Sequence, residues 1–256
     1  RDVLGVKVVG DRAYLSIVPF ETYDQAFQGL QVVDVSDPDQ PVLLGSIVRG
    51  NMPWRLDVSG TRVYLGTISG FEILDVSDPS AIRSIRQDSL SIVDEVVVAG
   101  DHVYMAGDVG VVISDLDGEW VRNYSLGQSC DGASGLDVAG ELIYVASECG
   151  LVIMRWGEID GEPSLVEVAR LPMRATAVRV AGAVALVSET IGMQIITTVD
   201  ISDPAHPVVR DQLPSPTWAT ELEVRRDLLF MPSLNNGVQI FKMSLQFTFL
   251  PFARQQ

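Results

Sequence analysis

The sequence predicts an all-β fold, a six-bladed β-propeller with four antiparallel strands in each blade, and two observations support this prediction. The first is an internal repeat of roughly forty residues, the length of one propeller blade. The second is the pattern inside each repeat, where short runs rich in Val, Ile and Tyr are separated by Gly or Asp-Pro. Such runs are typical of strands joined by tight turns. No competing 3.6-residue apolar period indicates helices.

The clearest landmark of the repeat begins with glycine and ends in Asp-Pro. It reads G-L-Q-V-V-D-V-S-D-P at 29–38 and G-F-E-I-L-D-V-S-D-P at 70–79. Weaker copies begin at Gly110, Gly150, Gly192 and Gly237. A second landmark precedes each copy and consists of an alternating strand, a two-residue turn and an apolar strand. Its turns lie at Gly10, Gly60, Gly100, Gly140, Gly182 and Arg226. Six copies of each landmark indicate six blades.

The four strands of a blade are labelled A to D in chain order. Strand A is the alternating strand, strand B follows the two-residue turn, strand C begins with the landmark glycine, and strand D follows the Asp-Pro turn. Because neighbouring strands are antiparallel, the A–B and C–D turns lie at one end of a blade and the B–C and D–A loops at the other. The predicted blades of a single domain, residues 1–256, are 3–48, 53–88, 93–126, 134–170, 176–213 and 219–250.

The Asp-Pro landmark resembles a known repeat. The segments at 29–38 and 70–79, and the degenerate V-D-I-S-D-P at 199–204, are similar to the LVIVD-repeat family of β-propellers. The resemblance implies an exported or cell-surface propeller of bacteria or archaea, in a family whose members mostly have no assigned function. Membership would therefore imply an extracytoplasmic location. Because the resemblance brings no catalytic motif, it leaves the activity open.

The composition excludes several classes of partner. The chain has 18 Lys and Arg against 34 Asp and Glu, a formal net charge of −16. Because proteins bind nucleic acid by neutralising phosphates with Lys and Arg, we expect no nucleic-acid partner and no attraction to anionic lipid headgroups. The longest nearly apolar run, Val180 to Val187, is far shorter than the roughly 20 residues of a membrane-spanning helix. We therefore expect no membrane insertion by this chain segment.

The acidic residues that recur in the C–D turns have two interpretations. They are Asp34, Asp75 and Asp115, five residues after the landmark glycine, and Asp37, Asp78 and Asp203, each before proline in a turn. Their carboxylates could accept backbone N–H groups while proline fixes φ, or they could bind calcium. A motif that recurs in several blades favours the structural interpretation. We expect no cofactor, with calcium left open.

Strand A carries a recurring position three residues before the A–B turn. It is occupied by Lys7, Asp57, Val97, Asp137, Arg179 and Glu223. Alternation along the strand predicts that this position points away from its buried neighbours and toward a central channel. Asp57, Asp137 and Glu223 could hold a metal or act as acid and base, since neighbouring carboxylates raise one another's pKa. The alternative, which we favour, is a set of ion pairs with Lys7 and Arg179.

Both cysteines belong to one predicted blade. Cys130 lies in the D–A loop before blade 4 and Cys149 in the B–C loop of that blade, at the same end. We expect a disulfide, which would fit an oxidising, extracytoplasmic location. Two free thiols are the alternative.

The blade 1 B–C loop contains an insertion, V-P-F-E-T-Y-D-Q-A-F-Q at 18–28, at the end that also carries the D–A loops. The candidate binding residues at this end are Phe20, Tyr23, Phe27, Trp54, Arg55 and Trp218. Aromatic residues and Arg are enriched where proteins bind one another, and functional residues often lie on loops held by a rigid scaffold. The aromatic side chains could instead cover the end of the core.

The sequence thus predicts a non-catalytic binding or assembly module. Its partner would be a protein, a larger surface assembly or a glycan, contacted through the end that carries the B–C and D–A loops. The alternative is a metal-dependent hydrolase or lyase that uses the strand A carboxylates. A divalent ion in the channel would favour the enzyme, and a contact of the 18–28 loop with another chain would favour the binding module.

Overall fold

The structure, a computed structural model, contains the six predicted blades. It describes residues 2–18, 28–89, 91–127, 130, 132–159, 162–190, 194–215, 222–225, 228–233, 237–243 and 249–251. These residues form six four-stranded antiparallel sheets, each in chain order. The predicted fold class is therefore confirmed: the sheets are the blades of a six-bladed β-propeller. In the described part of the chain, no helix is long and apolar enough to cross a membrane.

The chain divides into two compact units, and the first, residues 1–125, contains blades 1 to 3. Blade 1 consists of Asp2–Val9 (β1), Arg12–Val18 (β2), Gly29–Asp34 (β3) and Val42–Val48 (β4). Blade 2 consists of Pro53–Ser59 (β5), Arg62–Thr67 (β6), Gly70–Asp75 (β7) and Arg83–Ser89 (β8). Blade 3 consists of Val93–Ala99 (β9), His102–Gly107 (β10), Gly110–Asp115 (β11) and Trp120–Tyr124 (β12). A one-turn 3-10 helix, Pro79–Ala81, lies between β7 and β8.

The second unit, residues 126–256, contains blades 4 to 6. Blade 4 consists of Gly135–Ala139 (β13), Leu142–Ser147 (β14), Gly150–Ile159 (β15) and Glu162–Leu171 (β16). Blade 5 consists of Ala175–Ala181 (β17), Val184–Thr190 (β18), Gln194–Asp200 (β19) and Val208–Ser215 (β20). Blade 6 consists of Glu223–Arg225 (β21), Leu228–Ser233 (β22), Gly237–Met243 (β23) and Phe249–Pro251 (β24). The single domain over residues 1–256 stays a prediction.

The A–B turns explain the glycine of the second landmark. In blades 1 to 5 each turn has two residues, and the first is a glycine whose φ lies between 58° and 62°. This left-handed conformation costs glycine nothing, and a two-residue turn of this kind matches the twist of a β-hairpin. The turn glycines are Gly10, Gly60, Gly100, Gly140 and Gly182.

The apolar core lies between neighbouring blades. In the first unit, one cluster joins blades 1 and 2 through residues such as Tyr14 and Leu65, and a second joins blades 2 and 3 through Phe71 and Met105. In the second unit, corresponding clusters join blade 4 to blade 5 and blade 5 to blade 6. Each blade therefore buries its apolar side chains against a neighbour, as repeat units do.

Candidate functional site

In the first unit, the carboxylate of Asp57 joins three blades. Asp57 lies on β5 and is buried, and its Oδ2 accepts a hydrogen bond of 2.8 Å from the backbone N–H of Val98 on β9. Its Oδ1 lies 2.7 Å from Nζ of Lys7 on β1 and accepts the N–H of Val58 at 2.8 Å. One side chain of blade 2 thus pairs with a cation of blade 1 and with the backbone of blade 3.

Asp137 has the same arrangement in the second unit. It lies on β13 and is buried, and its Oδ2 accepts the backbone N–H of Val180 on β17 at 2.7 Å. Its Oδ1 accepts the N–H of Val138 at 2.9 Å and lies 3.3 Å from Nη1 of Arg179. Burial raises the pKa of Asp137, and the positive charge of Arg179 and the two backbone N–H groups oppose that rise.

Arg179 extends this connection to blade 6. Its Nε donates to the carbonyl oxygen of Leu222 at 2.9 Å and lies 3.9 Å from Oε2 of Glu223 on β21. The guanidinium therefore contacts both neighbouring blades, since Nη1 pairs with Asp137 of blade 4. Its side chain is 25% exposed, so these contacts are partly shielded from solvent.

Both buried carboxylates accept the N–H of the residue that follows the equivalent position on the next blade. We call these two arrangements, Asp57 with Val98 and Asp137 with Val180, the inter-blade clamps. The structure thus brings Lys7 to Asp57 and Arg179 to Asp137, which is the ion-pair alternative for the strand A position. Sequence reasoning missed the hydrogen bond from the next blade to each carboxylate, because the donor is a backbone N–H group and no side-chain pattern identifies it.

Backbone donors reach both oxygens of each clamp carboxylate. In Asp57 and in Asp137, each carboxylate oxygen already accepts a backbone N–H group. Over the described ranges of the chain, no group of three His, Cys, Asp or Glu side chains is placed to hold a metal ion. The described contacts of both carboxylates are with backbone N–H groups and cations at the blade seams.

The recurring Asp residues accept backbone N–H groups in their turns. Asp34 accepts the N–H of Ser36 at 2.8 Å, and Asp75 accepts that of Ser77 at 3.0 Å. The same contact recurs at Asp37, Asp78, Asp115, Asp200 and Asp203. Hydrogen bonds from Ser77, with that of Arg83, lower the pKa of Asp75 to about 2. These contacts are those of the structural interpretation of the motif.

Two of the six candidate binding residues, Trp54 and Arg55, are the second and third residues of strand β5. Arg55 Nη1 donates to the carbonyl oxygen of Leu4 on β1, and Ser16 Oγ on β2 donates to the carbonyl oxygen of Trp54 at 2.7 Å. These contacts place both residues at the seam between blades 1 and 2. The indole Nε1 of Trp54 is shielded from solvent, and no acceptor for it is present among the described residues. The other four, Phe20, Tyr23, Phe27 and Trp218, lie outside the described residues.

The B–C turns of blades 2 and 3 carry apolar side chains that sequence reasoning did not single out. Ile68, between β6 and β7, is 43% exposed, and Val109, between β10 and β11, is 37% exposed. Asp108 precedes Val109, and its backbone N–H donates to the carbonyl oxygen of Ile92, two residues before Asp94. Burial and the negative charge of Asp108 raise the pKa of Asp94 to about 6, and Arg55 opposes the rise.

We call this surface the unit 1 loop end and define it by Trp54, Ile68, Asp94, Asp108 and Val109. It combines two exposed apolar turn residues, a shielded indole donor and two carboxylates. The signal in the sequence was weak, because single Ile and Val residues in turns are common on protein surfaces. Only their position at the same end of neighbouring blades makes them a surface.

The predicted disulfide is confirmed. Cys130 and Cys149 are bonded, with an S–S distance of 2.03 Å and a Cα–Cα distance of 5.5 Å. The bond joins the loop before β13 to the turn between β14 and β15. Arg170 on β16 holds the same loop, since its guanidinium donates to the carbonyl oxygen of Leu126 at 3.1 Å and to Sγ of Cys130 at 3.3 Å.

Comparison with known families identifies the repeat. The family model described as LVIVD repeat matches residues 25–48, 51–85 and 191–212, which fall in blades 1, 2 and 5. The chain is a β-propeller with LVIVD repeats. The three matches fall in the blades whose sequences carry the D-V-S-D-P or D-I-S-D-P landmark. The resemblance seen in the sequence is therefore confirmed.

Solved structures support the fold of this LVIVD-repeat propeller, whereas no curated protein matches its sequence. It is similar to a functionally unknown protein from Desulfotomaculum acetoxidans DSM 771, with a TM-score of 0.69 and 12% identity over 88% of this chain and 75% of that one. It is similar to BamB from Moraxella catarrhalis, with a TM-score of 0.65 and 15% identity over 95% of this chain and 84% of that one. It is also similar to the computationally designed protein Ika8, with a TM-score of 0.64 and 13% identity over 94% of this chain and 70% of that one.

These identities are low, so the likeness of the LVIVD-repeat propeller to the three structures shows the fold alone. Propeller folds often mediate protein interactions, since their loops project from a rigid scaffold. The fold and its repeats therefore favour a binding or scaffold module and name no partner.

Proposed function

We propose that the chain is a non-catalytic, extracytoplasmic binding or assembly module that contacts a protein partner through the unit 1 loop end. The observation that carries the proposal is the pair of exposed apolar residues, Ile68 and Val109, on short turns of adjacent blades. Each turn joins two strands that are mostly buried, so the backbone of the turn is fixed before a partner binds. Preorganised surfaces of this kind bind with a smaller loss of conformational entropy.

The rest of the unit 1 loop end supplies polar contacts for the same partner. Trp54 is half-buried at this end, and tryptophan is enriched among the residues that dominate binding energy. Asp94 and Asp108 give the surface a negative edge, which favours a partner with basic side chains at the rim of the contact.

An extracytoplasmic location is supported by the disulfide. Disulfides persist in oxidising compartments and are rare where thiols are kept reduced. The bond between Cys130 and Cys149 therefore favours a location outside the cytoplasm, in agreement with what the LVIVD-repeat resemblance implies.

The proposal is tested by site-specific photo-crosslinking in the cells that make the protein. A photo-reactive amino acid is placed at Ile68 or Val109, and, as a matched control, at Ser77 or Asp101, which are exposed in turns at the opposite end of the same two blades. We expect a discrete crosslinked protein from positions 68 and 109 and none from 77 and 101. Equal labelling from both ends, or labelling from the control end alone, would contradict the proposal.

The insertion in the blade 1 B–C loop is tested by the same readout. Residues 20–27 are deleted, and an unchanged thermal melt shows that the blades remain folded. If the insertion extends the contact surface, the crosslink from Ile68 should weaken several-fold. An unchanged crosslink would remove the insertion from the contact surface while leaving the two turns in place.

A further inference from the structure

The fourth strand of each blade is the last strand of its sheet and has a pairing strand on one side only. Such edges can pair with a strand of another chain, and proteins usually prevent this by placing charged residues on them. The fourth strands of blades 2 to 5 follow this rule. β8 contains Arg83, Arg86 and Asp88, β12 contains Arg122, β16 contains Arg170, and β20 contains Arg210.

Strand β4 departs from the rule. Its sequence is V-L-L-G-S-I-V, seven residues without a charge or a proline. Val42, Leu43 and Val48 are 57%, 55% and 53% exposed, which makes them the three most exposed large apolar residues in the described part of the chain. Within that part no strand pairs with the outer edge of β4. Its other contacts are with blade 2: Leu44 and Ile47 pack on the cluster between blades 1 and 2, and a Cβ atom at Gly45 would lie 1.7 Å from the carbonyl oxygen of Pro79.

We propose that β4 is a self-association edge, on which the β4 strand of a second copy of this chain pairs antiparallel about a two-fold axis at Gly45. In this register Val42 lies opposite Val48 of the other copy, and Leu43 lies opposite Ile47. The strand is therefore complementary to itself, and a two-fold contact requires that property. Pairing would hydrogen-bond the open backbone edge and place apolar side chains beside one another.

The charges next to β4 favour the antiparallel direction. The turn before the strand contains Asp37 and Asp39, both exposed, whereas Arg49 after its end is already paired with the buried Glu72 of blade 2 at 2.9 Å. A parallel pair would place the two acidic turns side by side. The antiparallel pair places the two acidic turns at opposite ends of the contact. Like charges directly opposite one another destabilise strand pairing, so the antiparallel register is preferred.

The overall charge makes the association dependent on salt. Two copies with a formal charge of −16 each repel one another, whereas the strand contact itself is apolar. Added salt screens the repulsion between exposed charges and leaves apolar contacts in place. The dimer should therefore strengthen as ionic strength rises, which is the reverse of what an interface made of ion pairs would do.

Sedimentation velocity over a wide protein concentration range tests the proposal. The wild-type chain should show a reversible monomer–dimer equilibrium that shifts toward dimer in high salt. The variant Leu43→Lys should weaken dimerisation by roughly tenfold or more, because a two-fold contact contains the substitution twice. The matched control is Ile85→Lys on β8, a 48% exposed residue of an edge strand that is already charged. It should leave the equilibrium unchanged, and thermal melts check the fold of both variants.

Disulfide crosslinking tests the register independently of any folding defect. The chain contains two cysteines and both are in the disulfide, so an introduced cysteine is the one new thiol. A mixture of Val42→Cys and Val48→Cys chains should form an inter-chain disulfide faster than either variant alone. A wild-type chain that stays monomeric at every concentration and salt level, equal effects of the two lysine variants, or no preference in the mixture would each overturn the proposal. None of these outcomes affects the unit 1 loop end, which lies on other strands and turns.

Discussion

Replacing Asp57 with alanine should destabilise the first unit far more than replacing a comparable exposed aspartate. Asp57 and Asp117 each lie 2.7 Å from a cationic nitrogen, Lys7 Nζ and Arg62 Nη1 respectively. The side chain of Asp57 is 8% exposed and that of Asp117 is 74% exposed. The pair of variants therefore separates the effect of burial and backbone hydrogen bonding from the effect of an ion pair alone.

The expected loss follows from the contacts of the inter-blade clamp. Alanine at position 57 leaves the N–H of Val98 without its acceptor, and an unsatisfied buried donor costs about 1–3 kcal/mol. It also removes the acceptor of the Val58 N–H and the partner of Lys7. Breaking a buried, hydrogen-bonded charge pair from one side typically costs ~3–5 kcal/mol, and Lys7 is half exposed, so we expect ~3 kcal/mol. Asp117→Ala should cost less than ~1 kcal/mol, as exposed ion pairs do.

Urea denaturation gives the free energies of unfolding, and amide hydrogen exchange localises the effect. In Asp57→Ala the amide of Val98 should exchange faster, while amides of the second unit keep their rates. Lys7→Ala should cost less than Asp57→Ala, because the carboxylate loses its cation but keeps both backbone hydrogen bonds of the clamp. Asp57→Asn should be intermediate, since the amide oxygen can still accept from Val98. If Asp57→Ala destabilises no more than Asp117→Ala, the clamp contributes nothing beyond an ordinary ion pair and the reasoning is wrong.

Three further predictions concern the disulfide, a buried carboxylate and a turn. Reducing the bond between Cys130 and Cys149, 19 residues apart, should lower the free energy of unfolding by about 3 kcal/mol, and thermal melts with and without reductant measure it. The folded state holds the proton of Asp94 more tightly than the unfolded chain, because the pKa is raised to about 6. Stability due to this group should therefore fall as pH rises from ~4 to about 6, and above that range Asp94→Asn should be ~1–2 kcal/mol more stable than wild type, as denaturation at several pH values would show. Gly140→Ala should cost ~1 kcal/mol because φ is +62°, whereas Gly50→Ala, at a position without a left-handed φ, should be neutral in the same denaturation assay.

The sequence predicts the fold well because the same steric requirements recur from blade to blade. The A–B turn needs a left-handed residue in every blade, and glycine occupies that position in five of them. The close approach of strands C and D also requires glycine, since a Cβ atom at Gly29 would lie 1.9 Å from the carbonyl oxygen of Ile47. A constraint that recurs at a fixed interval can be recognised without knowledge of any contact.

The candidate site is less predictable because its contacts join blades rather than residues near in sequence. The ion pair of Lys7 with Asp57 could be anticipated, since opposite charges at equivalent positions suggest a pair. The hydrogen bond from Val98 to Asp57 could not, because the donor is present in every residue except proline. Residue type and predicted loop position make Arg55 a candidate binding residue, and the structure places its guanidinium on the carbonyl oxygen of Leu4.

The net charge of −16 has a structural origin that bears on function. Many of the acidic residues are parts of the repeat: they accept N–H groups in C–D turns, as Asp75 does, or in the inter-blade clamps. Carboxylates engaged in this way are weak candidates for recognising a partner, because using them would break contacts on which the blades depend. Recognition is then expected where the repeat is interrupted. The B–C turns show this, since blades 2, 3 and 4 place Ile68, Val109 and Cys149 there. The turn residues differ from blade to blade while the apolar pattern of the strands recurs, so Ile68 and Val109 can vary at less cost to the fold than the strand residues can.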